Sequence, residues 1–252
     1  MYVPFSALSD DMCWTIIKQR SRFEGRSFDK QGLEQIGAEI AKKCKGSPLA
    51  AAVLGGMLLY KDATGWAEVL NSDVWAYDCI SKPFLVLAYT SMPSSLRLCF
   101  TYFMMFQYGH AIAKDDLIYQ WNSLGLIEQS DRFSVKQLGE QYITMLLGMS
   151  LLQTTMPVST SGNSDKSTIL FTINRMVHGL AKNVMRTIHY TAETSYQQEL
   201  CSNKDCCYVL VTDLKLSNKL SAHTRALRYV GSGKMELTMI RLHIPGACVS
   251  WI

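Results

Sequence analysis

The apolar pattern changes period twice between Lys114 and Ile188, and that change constrains the fold more than any other feature of the chain. Leu117, Ile118, Trp121 and Leu124 share one face of a helix predicted over Lys114 to Leu124. Leu138, Tyr142, Met145 and Leu146 do the same over Val135 to Met149. Leu151 to Met156 and Thr168 to Ile173 are then short β-like runs on either side of the turn-rich stretch PVSTSGNSDKS, which predicts a hairpin with a long loop. Met176 to Ile188 returns to helical spacing. Upstream, LRLCFTYFMMF is apolar nearly all round and predicts a deeply buried helix. Three helices followed by a hairpin is the order of a winged-helix domain.

The first third of the chain reads as a separate helical block. Leu33, Ile36, Ile40, Ala41 and Cys44 recur at helical spacing, with Asp29 as a candidate N-cap and Lys42, Lys43 and Lys45 suited to the negative end of the helix dipole. Gly46 is a stop signal, and Pro48 fits the first turn of a second helix, Leu49 to Leu59. One side of that helix is small (Ala50, Ala51, Ala52, Gly55, Gly56), which lets a backbone or a ligand approach closely. Trp66, Val69, Leu70 and Val74 mark a short amphipathic segment, and Pro93 punctuates Phe84 to Leu98. From about Glu199 onward, YVLVTDLKL, TRALRYV and ELTMIRL look strand-like but are too few and irregular to form a repeat array.

Composition narrows the function classes. Of 252 residues 48% are hydrophobic and 18% charged, which excludes wholesale disorder. A net charge of +4 is too mild to imply nucleic acid or a membrane as partner. The stretches Gly46 to Tyr60 and Leu98 to Ala113 are shorter than the roughly 20 residues of a membrane helix, and Met1 to Met12 lacks the pattern of a signal peptide. The eight cysteines form no CxxC, and Cys201, Cys206 and Cys207 lack a matching pair at zinc-site spacing. We expect reduced thiols, a soluble protein and a cytoplasmic location.

No motif for chemistry stands out. The chain contains no GxxxxGK[ST] phosphate loop, GxGxxG, GxSxG or HExxH. The five histidines are scattered, and Asp115 and Asp116 are neighbours that point to different sides of a helix. We expect no enzyme and no metal site. A winged helix raises DNA binding as the alternative function. The recognition helix would be Ser134 to Met149, which offers only Lys136 with Glu140 nearby, and the wing offers Lys166 beside Asp165. Phosphate contact needs more positive charge than that, so we expect no nucleic-acid partner.

Four segments in register carry a family resemblance. LSDDMCW (Leu8 to Trp14) is similar to a Leu-Ser-x-x-x-Cys-Trp segment. CKGSPLAA (Cys44 to Ala51) is similar to a Gly-Leu-Pro-Leu-Ala motif. MPSSLRLCFTYFMMFQ with KDDLIYQWNSLGLI resembles the blocks Cys-Phe-x-Tyr-Cys-x-x-Phe-Pro and Leu-Ile-x-x-Trp-x-x-x-Gly-Phe-Ile. FTINRMVHGLA (Phe171 to Ala181) stands where the family has Phe-x-Met-His-Asp-Leu-Val-His-Asp-Leu-Ala. Over roughly residues 1 to 190 the chain thus resembles the C-terminal part of the NB-ARC module of plant nucleotide-binding, leucine-rich-repeat disease-resistance proteins.

The resemblance implies a mainly α fold. Residues 1–26 would be the end of a nucleotide-binding domain or linker, 27–90 a small helical domain, 91–190 a winged-helix domain, and 191–252 a strand-rich segment leading toward leucine-rich repeats. It implies an ADP/ATP-dependent switch in plant defense. Its partners would be the nucleotide-binding and leucine-rich-repeat domains of a receptor and, indirectly, a pathogen effector. Pro48 falls on the motif proline that lies against the adenine nucleotide, and Leu49 adjoins it. The family's nucleotide-sensing histidine falls on Asn174, and its aspartate on Arg175. His178 fits a second, structural histidine. The missing phosphate loop, the replaced sensor and Ser47 in place of leucine imply a truncated or degenerate member that does not hydrolyse ATP and binds ADP weakly or not at all.

Overall fold

The structure is a computed structural model that describes residues 7–25, 30–76, 82–106, 108–128, 130–155 and 169–188, together with the backbone of four short strands beyond them. The described residues fall in two compact units. One comprises the chain up to Arg97 with residues 140–153; the other comprises 98–139 and the chain from 154 onward.

The first unit is helical. α1 (Asp10–Arg20) begins at Ser9, whose hydroxyl accepts from the Met12 amide, and it has Asp10 and Asp11 in its first turn and Lys18 and Arg20 in its last. Cap and charges thus complement both ends of the helix dipole. α2 (Lys30–Lys43) and α3 (Pro48–Leu58) both pack against α1. α4 (Ala63–Leu70) is capped by Asp62, which accepts from the Gly65 amide, and packs on α2. α5 (Pro83–Thr90) packs on α3. At the centre, Trp14 meets Phe23 and Trp66 edge to face, with centroids 5.4 Å and 6.3 Å away. Trp66 is fully buried and donates its indole N–H to the Leu58 carbonyl. Burying a side chain of this size is worth about 3 kcal/mol, and the hydrogen bond removes the cost of burying its polar atom. On the small side of α3 the open choice between backbone and ligand falls to backbone: a side chain at Gly55 would meet Ile17, and one at Gly56 would strike the Gly148 carbonyl.

Pro93 separates α5 from α6 (Ser94–Thr101), as its punctuating role predicts. The buried helix expected over LRLCFTYFMMF is corrected. α6 stops at Thr101, Tyr102–Met105 wind as a tighter 3-10 turn, and Leu98 is exposed. The reason is lateral packing in the second unit. Tyr102 donates to the Gln120 side chain at 2.9 Å, and Phe103 sits edge to face on Trp121 at 6.0 Å. Aromatic bulk on successive positions satisfies these contacts better than a straight helix would.

Next along the chain come β1 (Ile112–Ala113) and α7 (Lys114–Ser123). α8 (Val135–Gly148) follows, then β2 (Leu152–Thr155), β3 (Leu170–Ile173) and α9 (Arg175–Ile188). The expected hairpin is one part of a three-stranded sheet in the order β1-β3-β2. β1 pairs antiparallel with β3, Ile112 opposite Phe171 and Ala113 opposite Leu170. Beyond α9, β4 (Tyr208–Val211) pairs parallel with β5 (Ala226–Tyr229), and β6 (Thr238–Met239) pairs antiparallel with β7 (Ser250–Trp251). Asp29 as a cap, the loop at 157–167 with Asp165 and Lys166, and Cys201, Cys206 and Cys207 lie outside the described residues. Among those described, no helix is long and apolar enough to cross a membrane.

Candidate functional site

The sequence-predicted site residues stand at the starts of two helices, one in each unit. Pro48 and Leu49 open α3. The turn before them is built by backbone geometry. Lys45 and Gly46 both take positive φ (48° and 71°), and the Ser47 amide returns to the Cys44 carbonyl at 3.0 Å. Gly46 is required twice over. Its φ favours glycine, and an added side chain would fall 2.5 Å from the Ala7 Cβ. The segment before α1 lies across this turn, with the Leu8 amide donating to the Gly46 carbonyl at 3.0 Å. Ser47, a departure from the family motif, is the N-cap of α3: its hydroxyl accepts from the Ala50 amide at 3.2 Å. A serine directly before a proline at the first helical position is the signal that marks it. Pro48 is exposed and Leu49 half-buried, so this corner presents an apolar edge.

Beneath the turn lie two thiols. Cys13 on α1 is fully buried, and Cys44 is nearly so. The Cys44 thiol donates to the Ile40 carbonyl at 3.7 Å. Burial, then the neighbouring thiol, pushes Cys44 up to about 12. Burial and the Asp10 charge raise Cys13. Neither thiol is nucleophilic in this closed state.

Asn174 sits before α9. Its Oδ1 accepts from the Met176 amide at 2.8 Å, and its carbonyl accepts from the His178 amide at 2.8 Å, so it caps the helix. That leaves its amide N–H2 group as a donor. Arg175 is exposed, with its guanidinium 6.0 Å from the Tyr108 ring centre. His178 faces the Phe106 carbonyl at 3.0 Å through Nε2. Because a carbonyl only accepts, that nitrogen carries the proton. The His178 ring also lies 6.4 Å from Tyr108, and His110 stacks on Phe106 at 5.4 Å. His178 therefore ties α9 to the segment after α6, a structural task that fits the second histidine of the motif.

Among the described residues, no group of three or more His, Cys, Asp or Glu side chains is placed to hold a metal ion. Lys136 is the single basic residue of α8.

A short helical run, a three-stranded sheet with β3 in the middle and a helix, α9, following β3 in sequence are the elements of a winged-helix domain. Residues 105–181 match the family model of the disease resistance protein winged helix domain. Over 153 residues, 59% of its length, the chain is 31% identical to a putative disease resistance RPP13-like protein 1 of Arabidopsis thaliana, of which it covers 14%. It is 31% identical over 206 residues, 79% of its length, to a putative disease resistance protein RGA1 of Solanum bulbocastanum, of which it covers 20%. To the disease resistance protein RGA5 of Oryza sativa subsp. japonica it is 24% identical over 208 residues, covering 17% of that protein. The chain is thus a relative of plant disease resistance proteins and carries their winged-helix domain, a part of the NB-ARC architecture. It spans a fifth or less of the length of these relatives.

Proposed function

We propose that this chain supplies the helical and winged-helix parts of a nucleotide-controlled switch in plant defense, acting in the cytoplasm and carrying out no catalysis of its own. The winged-helix match over residues 105–181 carries this reading. The helical domain would centre on 27–90 and the winged helix on 91–190, with the strands beyond leading toward leucine-rich repeats. Its direct partners would be the nucleotide-binding and leucine-rich-repeat domains of a receptor, and a pathogen effector would act on it indirectly.

The residues fit an adenine nucleotide only in part. Pro48 and Leu49 offer an apolar edge for adenine, and the Asn174 side chain offers one neutral donor to a phosphate oxygen. No phosphate loop in the sequence supplies the main grip. We therefore assign the phosphates to a nucleotide-binding domain elsewhere in the receptor, with this chain adding closure over the base. Positive charge is scarce on α8, which weighs against the DNA-binding alternative.

The test is a calorimetric titration with ADP of three samples: this chain, the nucleotide-binding domain of the Solanum relative, and the two mixed. We expect no binding tighter than millimolar by the chain alone, and ADP affinity of the mixture raised about tenfold over the isolated domain, a modest coupling. An unchanged affinity in the mixture sinks the proposal.

A further inference from the structure

The C-terminal end of α1 opens on a cleft of about 360 Å³, lined by Thr15, Lys18, Gln19, Arg22, Glu24 and Gly25, all within the first unit. Its volume falls at the lower end of small-molecule sites, which run from about 300 to 1,000 Å³. The chain makes the cleft by turning sharply after the helix. The Ser21 amide closes α1 on the Ile17 carbonyl, and Arg22 takes a φ of 52° with its amide on the Gln19 carbonyl at 3.3 Å. The Gly25 amide then returns to the Arg22 carbonyl at 3.1 Å. Glycine fills a positive φ after a helix with less strain than any other residue. What arginine adds at this position is its side chain. The helix dipole does not require that charge, because Lys18 and Arg20 already stand in the last turn of α1.

The charges around the cleft leave one cation over. Lys18 pairs with Glu34 at 3.2 Å and lies over the Trp14 ring at 5.1 Å, so it is held in place. Glu24 is answered by Lys30, whose ammonium stands 3.6 Å from its carboxylate and donates to its carbonyl at 2.9 Å. Arg22 is exposed and has no ion-pair partner among the described residues. Beside it, Gln19 presents an exposed amide, both donor and acceptor. The Thr15 hydroxyl donates to the Asp11 carbonyl at 2.9 Å, which leaves its lone pairs as acceptors. Cations next to acceptors complement an anion that carries hydroxyl groups. A bare phosphate would leave Thr15, Gln19 and Glu24 unused, and a neutral polyol would leave Arg22 unanswered. We propose that this cleft binds the phosphate monoester of a small hydroxylated molecule, of which a sugar phosphate is the type. Arg22 takes the phosphate through its guanidinium fork, Lys18 adds a second charge, and Thr15, Gln19 and Glu24 accept from the ligand hydroxyls.

The test titrates the full, isotopically labelled chain with glucose-6-phosphate and, in parallel, with glucose and with inorganic phosphate, following backbone amides by NMR. We expect the sugar phosphate to move the amides of Thr15, Lys18, Gln19, Arg22 and Gly25. It should bind at least about tenfold more tightly than either control, because only it uses both the cations and the acceptors. Arg22→Gly relieves the positive φ and should keep or raise the thermal midpoint while weakening the sugar phosphate by about tenfold or more. Arg22→Lys, which keeps the charge but not the fork, should retain part of the affinity. Equal binding of inorganic phosphate and the sugar phosphate overturns the proposal, since it leaves only a surface charge. So does the absence of shifts at the cleft with the sugar phosphate at millimolar concentration, or undiminished binding by Arg22→Gly. A fall in the thermal midpoint of Arg22→Gly would make Arg22 a structural residue and overturn the proposal as well.

Discussion

The α3 and α9 starts perform the same local task by different means. At α3 the chain reverses through two residues of positive φ, is capped by Ser47 and is pinned from outside by the segment before α1 and from below by two buried thiols. At α9 the strand β3 runs directly into Asn174, whose side chain caps the helix in ordinary backbone geometry, and the flanking Arg175 and His178 reach toward Tyr108 and Phe106. The first start is over-determined by packing. The second is held by a few polar and aromatic contacts at a half-exposed surface. Motif residues behave accordingly. The glycine and proline of the first are retained because backbone demands them, whereas the histidine and aspartate of the second are replaced by residues that still start a helix.

The sharpest way to break this contrast is Gly46→Val. A β-branched residue at φ 71° is strained, and its Cβ would press on Ala7 and the Leu8 carbonyl. We expect a loss of about 3 kcal/mol or more in urea unfolding. Arg175→Val, at an exposed position of ordinary φ, should cost less than about 1 kcal/mol. Comparable losses would erase the distinction between the two starts.

Alkaline pH tests the buried side of the α3 start next. Cys44 ionises at about 12 in the folded chain against about 9 for an ordinary thiol. Its folded value is raised, so the neutral thiol's contribution is complete below about pH 9 and is lost as pH rises toward 12. Within that window it costs about 1.4 kcal/mol of stability per pH unit. Cys44→Ala should flatten the stability profile by that slope. An unchanged slope in the variant would remove the buried-thiol argument.

What the sequence discloses follows the same division. Periodicity and punctuation place α2, α3, α7, α8 and α9 within a residue or two, because their ends carry local signals such as Lys42, Lys43, Gly46 and Pro48. α1 escapes an apolar-period reading because only Cys13, Trp14 and Ile17 are buried on it, although Ser9 with Asp10 and Asp11 is a sound start signal. β1 is two residues long and becomes a strand only by pairing with β3, a partner nearly sixty positions away that no local window contains. The end of α6 at Thr101 is likewise set by Gln120 and Trp121 rather than by Thr101 itself. At the candidate site, Pro48 and Asn174 are legible as motif positions. Ser47 as a cap and the burial of Cys13 and Cys44 depend on what the fold brings around them.

The caps give a closer comparison. Ser47→Ala and Asn174→Ala each remove one side-chain acceptor from a helix amide and should each cost about 1 kcal/mol. Hydrogen exchange then distinguishes them. Packing on α1 should confine the Ser47 effect to the first turn of α3, whereas loss of Asn174 should fray α9 as far as His178.

The smallest effect belongs to Arg175→Gln. Its guanidinium stands 6.0 Å from the Tyr108 ring centre, and both side chains are exposed, so the cation–π contact is worth about 0.5 kcal/mol. Raising the ionic strength should weaken the wild-type contact and leave the variant unchanged. A loss above about 1.5 kcal/mol would mean that Arg175 braces the α9 start as firmly as Gly46 braces the α3 start, and the contrast between an over-determined and a lightly held helix start would fail at its weaker end.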